Sequence, residues 1–231
     1  LIHTIGTLSM AMLFMQAAWA AAPAKPGRSS SVKTAAPPLL ALQGDPVAGK
    51  DKAESERCIE CHGQTGQGSG NPKGAEARVA KLAGQKTAYI VKQVQDFRSG
   101  QRKHDQMAIV ARNLSDEDLV DIAAYFNSLP PMKGEGGDLH EAGKQLFEQG
   151  DAARGITPCV TCHGVKGKGQ AALPTAPRLA GQEWKYLDDQ LRAWRDGSRR
   201  NSPEGVMNQL SKSLGDREIE VLADHLAGQG E

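Results

Sequence analysis

The chain has 231 residues, 39% hydrophobic and 24% charged, with a formal net charge of +1 and a mean hydropathy of −0.48. That length allows one large domain or two of roughly 100 residues each. The composition excludes a polytopic membrane protein, and the near-zero charge excludes a global basic field for holding nucleic acid.

Residues 1–22 contain no Lys, Arg, Asp or Glu, the stretch from Ile5 to Ala18 is mostly apolar, and Ala18-Trp19-Ala20 has a small-x-small form. This predicts a signal peptide over 1–22, cut after Ala20 or Ala22. The alternative is an uncleaved anchor, because about 20 apolar residues can just span a bilayer. Residues 23–44 are rich in Pro, Ala and Ser and read as a disordered linker. Asp45-Pro46 offers an N-cap followed by proline at the first helical position, opening a helix toward Cys58. Thr87 to Ser99 carries Ile90, Val91, Val94 and Phe97 on a helical stripe. Ser115-Asp116-Glu117-Asp118 predicts a capping box leading into a helix over 119–129. The Pro- and Gly-rich stretch 130–137 stops that helix, and Asp138 is expected to cap the next. Helices over 185–196 and 216–227 follow, with loops over 63–81 and 164–178. No run alternates at period two for long enough to build a sheet, so the fold class is all-α.

An internal repeat organises these elements. Cys58-Ile59-Glu60-Cys61-His62-Gly63 recurs as Cys159-Val160-Thr161-Cys162-His163-Gly164, and Leu82-Ala83-Gly84-Gln85 recurs as Leu179-Ala180-Gly181-Gln182. Tyr89 matches Tyr186, Phe97 matches Trp194, and Gly100 matches Gly197, all at the same offset of 97. Ala48-Gly49-Lys50 returns as Ala142-Gly143-Lys144. Two copies are too few for a solenoid and instead predict tandem domains, over 45–133 and 134–231.

Cys-x-x-Cys-His is the attachment signature of c-type haem. Two thiols on one incipient helical turn reach the two vinyl groups of a porphyrin, and the adjacent imidazole meets the iron. A shared zinc site made from four cysteines or a disulfide framework would leave both histidines unexplained. A thioredoxin-like pair would need a strand ahead of the motif. Two covalently attached haem c groups are therefore expected. They would also supply the core volume that 4% aromatic residues cannot. After the signal segment only Met107, Met132 and Met207 remain as methionines. Met107 lies 45 residues after His62 and Met207 lies 44 after His163. A thioether is a soft ligand that suits haem iron and raises its potential, so this matched pair is the candidate distal ligand set. Met132, His104, His140 and His225 have no counterpart in the other half. With both axial positions filled, outer-sphere electron transfer is expected and no small-molecule substrate.

Together with Tyr89-Ile90-Val91-Lys92-Gln93 and Leu114-Ser115-Asp116, these motifs resemble the dihaem cytochrome c4 family, tandem class I cytochrome c domains, over about 45–228. The resemblance implies that Cys58, Cys61, His62 and Met107 serve haem one, and that Cys159, Cys162, His163 and Met207 serve haem two. It implies a periplasmic electron carrier, often loosely held at the membrane. Such a carrier passes electrons from quinol-oxidising complexes to terminal oxidases or other reductases through transient redox protein partners. In such folds a proline carbonyl before the LAGQ segment holds the proximal imidazole. Pro177 fits that role in the second copy, whereas the first has Ala80, and the two haems are expected to differ in potential. Two alternatives are a cytochrome subunit of a periplasmic dehydrogenase and a small dihaem oxidoreductase. Arg98, Arg102, Lys103, Arg195, Arg199 and Arg200, ahead of the two methionines, are expected to neutralise propionates, meet an acidic partner or form a solvated face.

Overall fold

The computed structural model describes residues 42–68, 79–134 and 141–230. The expected signal peptide, most of the linker, and Asp138 and His140 lie outside these residues. Helices carry the described chain: α1 Pro46–Ser55, α2 Cys58–His62, α3 Thr87–Ser99, α4 Asp105–Asn113, α5 Asp116–Ser128, α6 Glu141–Gln149, α7 Val160–His163, α8 Trp184–Asp196, α9 Val206–Ser211 and α10 Asp216–Ala227. The sole β feature among the described residues is an isolated bridge between Asp151 and Ile156. None of the described helices is long and apolar enough to cross a membrane.

Each half is locked where its first helix crosses its last. The Asp45 carboxylate caps α1 by accepting from the Val47 amide at 2.8 Å, and Asp45's own amide donates to the Asp121 side chain at 2.7 Å. At the crossing, a Cβ on Gly49 would sit 1.9 Å from the Asp121 carbonyl oxygen, and one on Gly143 would sit 2.1 Å from that of Val221. Only glycine lets the backbones approach this closely, which accounts for the repeated Ala-Gly-Lys. Beneath the first crossing lie Ile90, Val91, Val94, Phe97, Leu119, Ile122 and Phe126. Beneath the second lie Leu146, Phe147, Leu187, Leu214, Ile219 and Leu222.

The predicted capping box divides between the copies. Ser115 Oγ accepts from the Asp118 amide at 3.0 Å, but the Asp118 carboxylate turns to Lys52 at 2.9 Å instead of reaching back. At α10 the other half of the box forms, with the Gly215 amide donating to Glu218 at 2.8 Å. Helices α4 and α9, which begin beside the two methionines, were not anticipated from the sequence pattern.

The halves meet across a pseudo-two-fold interface. The Gln85 side chain accepts from the Arg178 amide and donates to the Arg178 carbonyl, both at 2.9 Å. Gln182 does the same with Lys81, at 2.7 and 3.0 Å. Between them, Arg102 donates to Gln93 at 2.9 Å, Tyr186 at 3.0 Å and Gln190 at 2.9 Å. Its mate Arg199 donates to Gln190 at 2.7 Å and Gln93 at 2.9 Å. Each guanidinium lies over an aromatic ring, Arg102 over Phe97 at 4.6 Å and Arg199 over Trp194 at 4.2 Å. Met132, 1% exposed, fills the seam, with the Gln182 amide 3.4 Å from its sulfur.

Candidate haem-binding sites

The first Cys-x-x-Cys-His segment forms the short helix α2, and the second forms α7 with Cys159 as its N-cap, so the two cysteines and the histidine of each motif lie on one short helical stretch. The following glycine makes that turn end abruptly. Gly63 and Gly164 have φ of 79° and 76°, the left-handed region that glycine enters without a steric cost. A Cβ at either would meet the carbonyl oxygen of Gly68 or Gly169 at 2.3 Å. No disulfide joins the four cysteines. Burial raises the Cys58 and Cys159 thiols to about 11. Among the described residues, no group of three or more His, Cys, Asp or Glu side chains is arranged to hold a metal ion.

The two imidazoles are oriented alike. His62 Nδ1 lies 2.7 Å from the Ala80 carbonyl oxygen and His163 Nδ1 lies 3.0 Å from that of Pro177. Each ring can donate Nδ1–H to that carbonyl, which leaves Nε2 as the free lone pair for iron. Ala80 thus serves as well as proline, because the acceptor is the backbone. Burial is the leading cause that pushes both imidazoles below their ordinary range, favouring the neutral form that a metal ligand needs.

Met107 lies half-buried in the first turn of α4, packed on the same apolar cluster as Cys58, Ile59 and Leu82. Met207 lies half-buried in the first turn of α9, its amide held by Ser202 Oγ at 3.2 Å. In the second half Cys159, Val160, Leu179 and Leu191 pack on the core. Paired cysteines, carbonyl-anchored imidazoles and an apolar lining in each half fit a covalently held haem.

Most of the arginines are engaged in contacts within the protein, and Arg200 is exposed. Arg98 ties α3 to the end of α4 and the start of α5 through the Ala111 and Leu114 carbonyls at 2.9 and 2.8 Å and through Asp116. Arg195 repeats this with the Leu214 carbonyl at 3.1 Å and Asp216 at 2.6 Å. Arg102 and Arg199 are spent at the seam between the halves, and Arg200 donates to its own turn at the Gly197 carbonyl. Lys103 is exposed. The sequence pattern had left the interface unassigned: Gln85, Gln182, Gln93 and Gln190 were legible only as repeated letters. Their repetition at polar positions was the available signal.

Two helical units, each with a carbonyl-held histidine behind a pair of thiols, define a two-centre c-type cytochrome. The chain belongs to the dihaem cytochrome c4 family: the cytochrome c family model matches residues 46–130 and again 140–229. Cytochrome c4 from Azotobacter vinelandii is 36% identical, over 82% of this chain and 91% of its own. A protein from Stutzerimonas stutzeri (strain A1501) called thiosulfate dehydrogenase electron acceptor is 36% identical, over 75% of this chain and 79% of its own. The crystal structure of reduced recombinant cytochrome c4 from Pseudomonas stutzeri superposes with a TM-score of 0.73 at 34% identity, covering 81% of this chain and all of that one. Two haem c groups and an electron-carrying role follow from this membership.

Proposed function

We propose that the protein is a periplasmic shuttle that carries electrons from quinol-oxidising complexes to terminal oxidases or other reductases. It would be exported by residues 1–22 and tethered by 23–44, with domains over 45–133 and 134–231. The observation that carries this reading is the duplicated, carbonyl-anchored histidine, with a methionine at the matched position of each half. Bound haem iron supplies a one-electron couple between ferrous and ferric states. The chain's own residues do the rest. Cys58, Cys61, Cys159 and Cys162 fix the macrocycles covalently. The Ala80 and Pro177 carbonyls hold the imidazoles of His62 and His163 in place. Met107 and Met207 would close the distal positions and raise the potential.

A second reading is favoured by the relative called thiosulfate dehydrogenase electron acceptor: a dedicated electron-accepting subunit of a periplasmic dehydrogenase. Purification under mild conditions separates the two, since a shuttle isolates free and a subunit isolates with its dehydrogenase. Closure of both sites is tested on the holoprotein by a pyridine haemochrome count, the far-red sulfur–iron band of the oxidised form and exposure of the reduced form to carbon monoxide. Two haems, the band, and no carbon monoxide adduct are expected. Ready adduct formation would overturn the closed-site reading.

A further inference from the structure

Behind each proximal histidine runs a short loop closed by glycines. Gly68 donates its amide to the His62 carbonyl at 2.9 Å, and Gly169 donates to that of His163 at 2.6 Å. In each loop a middle glycine accepts from the LAGQ segment. The Gly66 carbonyl takes the Leu82 and Ala83 amides at 2.8 and 3.0 Å, and the Gly167 carbonyl takes those of Leu179 and Ala180 at 2.7 and 3.1 Å. The chain at the end of α5 or α10 packs on the same glycine. A Cβ on Gly66 would lie 3.2 Å from Leu129 Cδ1, and one on Gly167 would lie 2.9 Å from Leu226 Cδ2. The frame is therefore the same in both halves.

The tips of the two loops are held differently. In the first half the Tyr125 hydroxyl donates to the Gln64 carbonyl at 2.9 Å. The Gln67 side chain donates to the Pro131 carbonyl at 3.0 Å and accepts from the Lys133 amide at 2.9 Å. In the second half His225 stands in the place of Tyr125, at the offset of 100 that relates Leu114 to Leu214. Val165 and Lys168 stand in the places of Gln64 and Gln67, at the offset of 101 that relates the two Cys-x-x-Cys-His motifs. His225 is 2% exposed, its Nδ1 has no hydrogen-bond partner, and its Nε2 faces Gln229 at 3.5 Å. The Val165 carbonyl accepts instead from the Lys168 amide at 3.1 Å, inside the loop itself. Lys166 has a φ of 54°, whereas its match Thr65 is not among the residues with positive φ. A lysine in that left-handed region stores strain. Val165 is 73% exposed, and a cleft of about 540 Å³ runs along the tip, bordered by Val160, Lys166 and Lys168.

We propose that Tyr125 and His225 occupy a latch position. The Tyr125 hydroxyl locks the loop behind His62, and the loop behind His163, which lacks that hydroxyl, opens before any other part of either haem site. Tyr125 is then a positioning residue for the first centre, acting through the Gln64 carbonyl and the loop rather than on iron. The proposal rests on the two-haem reading above for what each loop stands behind.

The test follows amide hydrogen exchange by mass spectrometry on the reduced holoprotein at neutral pH, with haem counted in the same samples. The net worth of one neutral hydrogen bond sets the scale, about fivefold in an opening equilibrium. In the unaltered protein, segment 164–169 is expected to exchange faster than 63–68 by about that factor once intrinsic rates are divided out. Tyr125→Phe removes only the hydroxyl and should speed 63–68 about fivefold while leaving 164–169 unchanged. His225→Tyr supplies a hydroxyl within reach of the Val165 carbonyl and should slow 164–169 about fivefold. His225→Phe supplies a ring without the hydroxyl and should not slow it. Equal protection of the two loops in the unaltered protein would overturn the proposal, and this comparison stands even if a variant fails to fold. Equal slowing in His225→Tyr and His225→Phe would also overturn it, because packing and not the hydroxyl would then hold the loop. Either result with two haems present leaves the two-haem reading standing. Fewer than two haems in the unaltered protein would overturn both.

Discussion

Replacing Gln182 by alanine removes a clamp made by one side chain across the seam. The Lys81 amide loses its 2.7 Å acceptor and the Lys81 carbonyl its 3.0 Å donor, at a residue 3% exposed. Each neutral hydrogen bond contributes about 1 kcal/mol net, and a buried group left unsatisfied costs about 1–3 kcal/mol. The expected loss is therefore about 2–4 kcal/mol, concentrated in the contact between halves rather than in either core. Tryptophan fluorescence can tell these apart, because Trp184 and Trp194 both lie in the second half and Trp19 lies in the expected signal segment. In guanidinium titrations of the unaltered holoprotein, fluorescence and far-ultraviolet circular dichroism should change together. In Gln182→Ala they should separate, with fluorescence following the second half alone. Gln182→Glu retains an acceptor for the Lys81 amide but sets a buried carboxylate against the Lys81 carbonyl, so it should cost at least as much as alanine. Gln85→Ala combined with Gln182→Ala should cost less than the sum of the two, since the first change already loosens the seam. A loss under about 0.5 kcal/mol with coincident transitions would refute the claim that these clamps join the halves.

Gly49→Ala and Gly143→Ala each force a methyl group to within about 2 Å of a backbone oxygen. They should cost more than about 3 kcal/mol, with holoprotein yield and melting temperature falling together; normal accumulation of either variant would contradict the crossing geometry. Burial of His225, 2% exposed, holds its imidazole below the ordinary 6.5, with Glu148 and Glu141 opposing that shift and Lys144 reinforcing it. The unfolded chain then binds the extra proton first, so this contribution to stability is intact above pH 6.5 and is lost as the pH falls through the folded value. The slope from this one group is at most about 1.4 kcal/mol per pH unit, and urea titrations of His225→Phe should show a shallower fall between pH 7 and 5. Met107→Ala and Met207→Ala should each open one distal position, so that the reduced variant binds one carbon monoxide per chain and the double variant binds two. Unchanged far-red absorption in either single variant would remove that methionine from the ligand set.

The parts of the molecule that repeat at short range were legible in the sequence. The stripe Ile90, Val91, Val94, Phe97 gave α3 its limits, and α10 runs over the expected 216–227, because both combine a 3.6-residue apolar period with a defined end. The second half's matching helix starts one residue earlier than the pattern suggested, at Trp184. The Cys-x-x-Cys-His turns were legible because covalent chemistry fixes the spacing. Helices α4 and α9 were not, since each is short and its apolar face covers less than two turns. Ser115 showed why a motif can be read and half-made: an aspartate at the third position has a nearer cation in Lys52. The seam was illegible for a different reason. Gln182 and Lys81 stand 101 positions apart, and a side chain that bonds backbone leaves no complementary residue type to find.

The seam's reciprocity has a structural meaning. In an isologous contact, if residue i meets j then j meets i. Here Gln85 meets Arg178 while Gln182 meets Lys81, and Arg102 meets Gln190 while Arg199 meets Gln93, with matched residues throughout. That is the pattern of a symmetric dimer contained in a single chain. The residues that establish the geometry, namely the glutamines, the tyrosines and the two arginines stacked on rings, are the same in both halves. The residues that have diverged are charged: Lys81 and Glu183 against Arg178 and Lys86, and Asp96, which accepts from Asn201 at 2.5 Å, against Ala193. A symmetric scaffold holds two equivalent sites, and differences in charge, hydrogen bonding or burial around them are what distinguish one site from the other. The division between matched polar contacts and unmatched charges therefore separates the residues that build the seam from those that make its two sides differ.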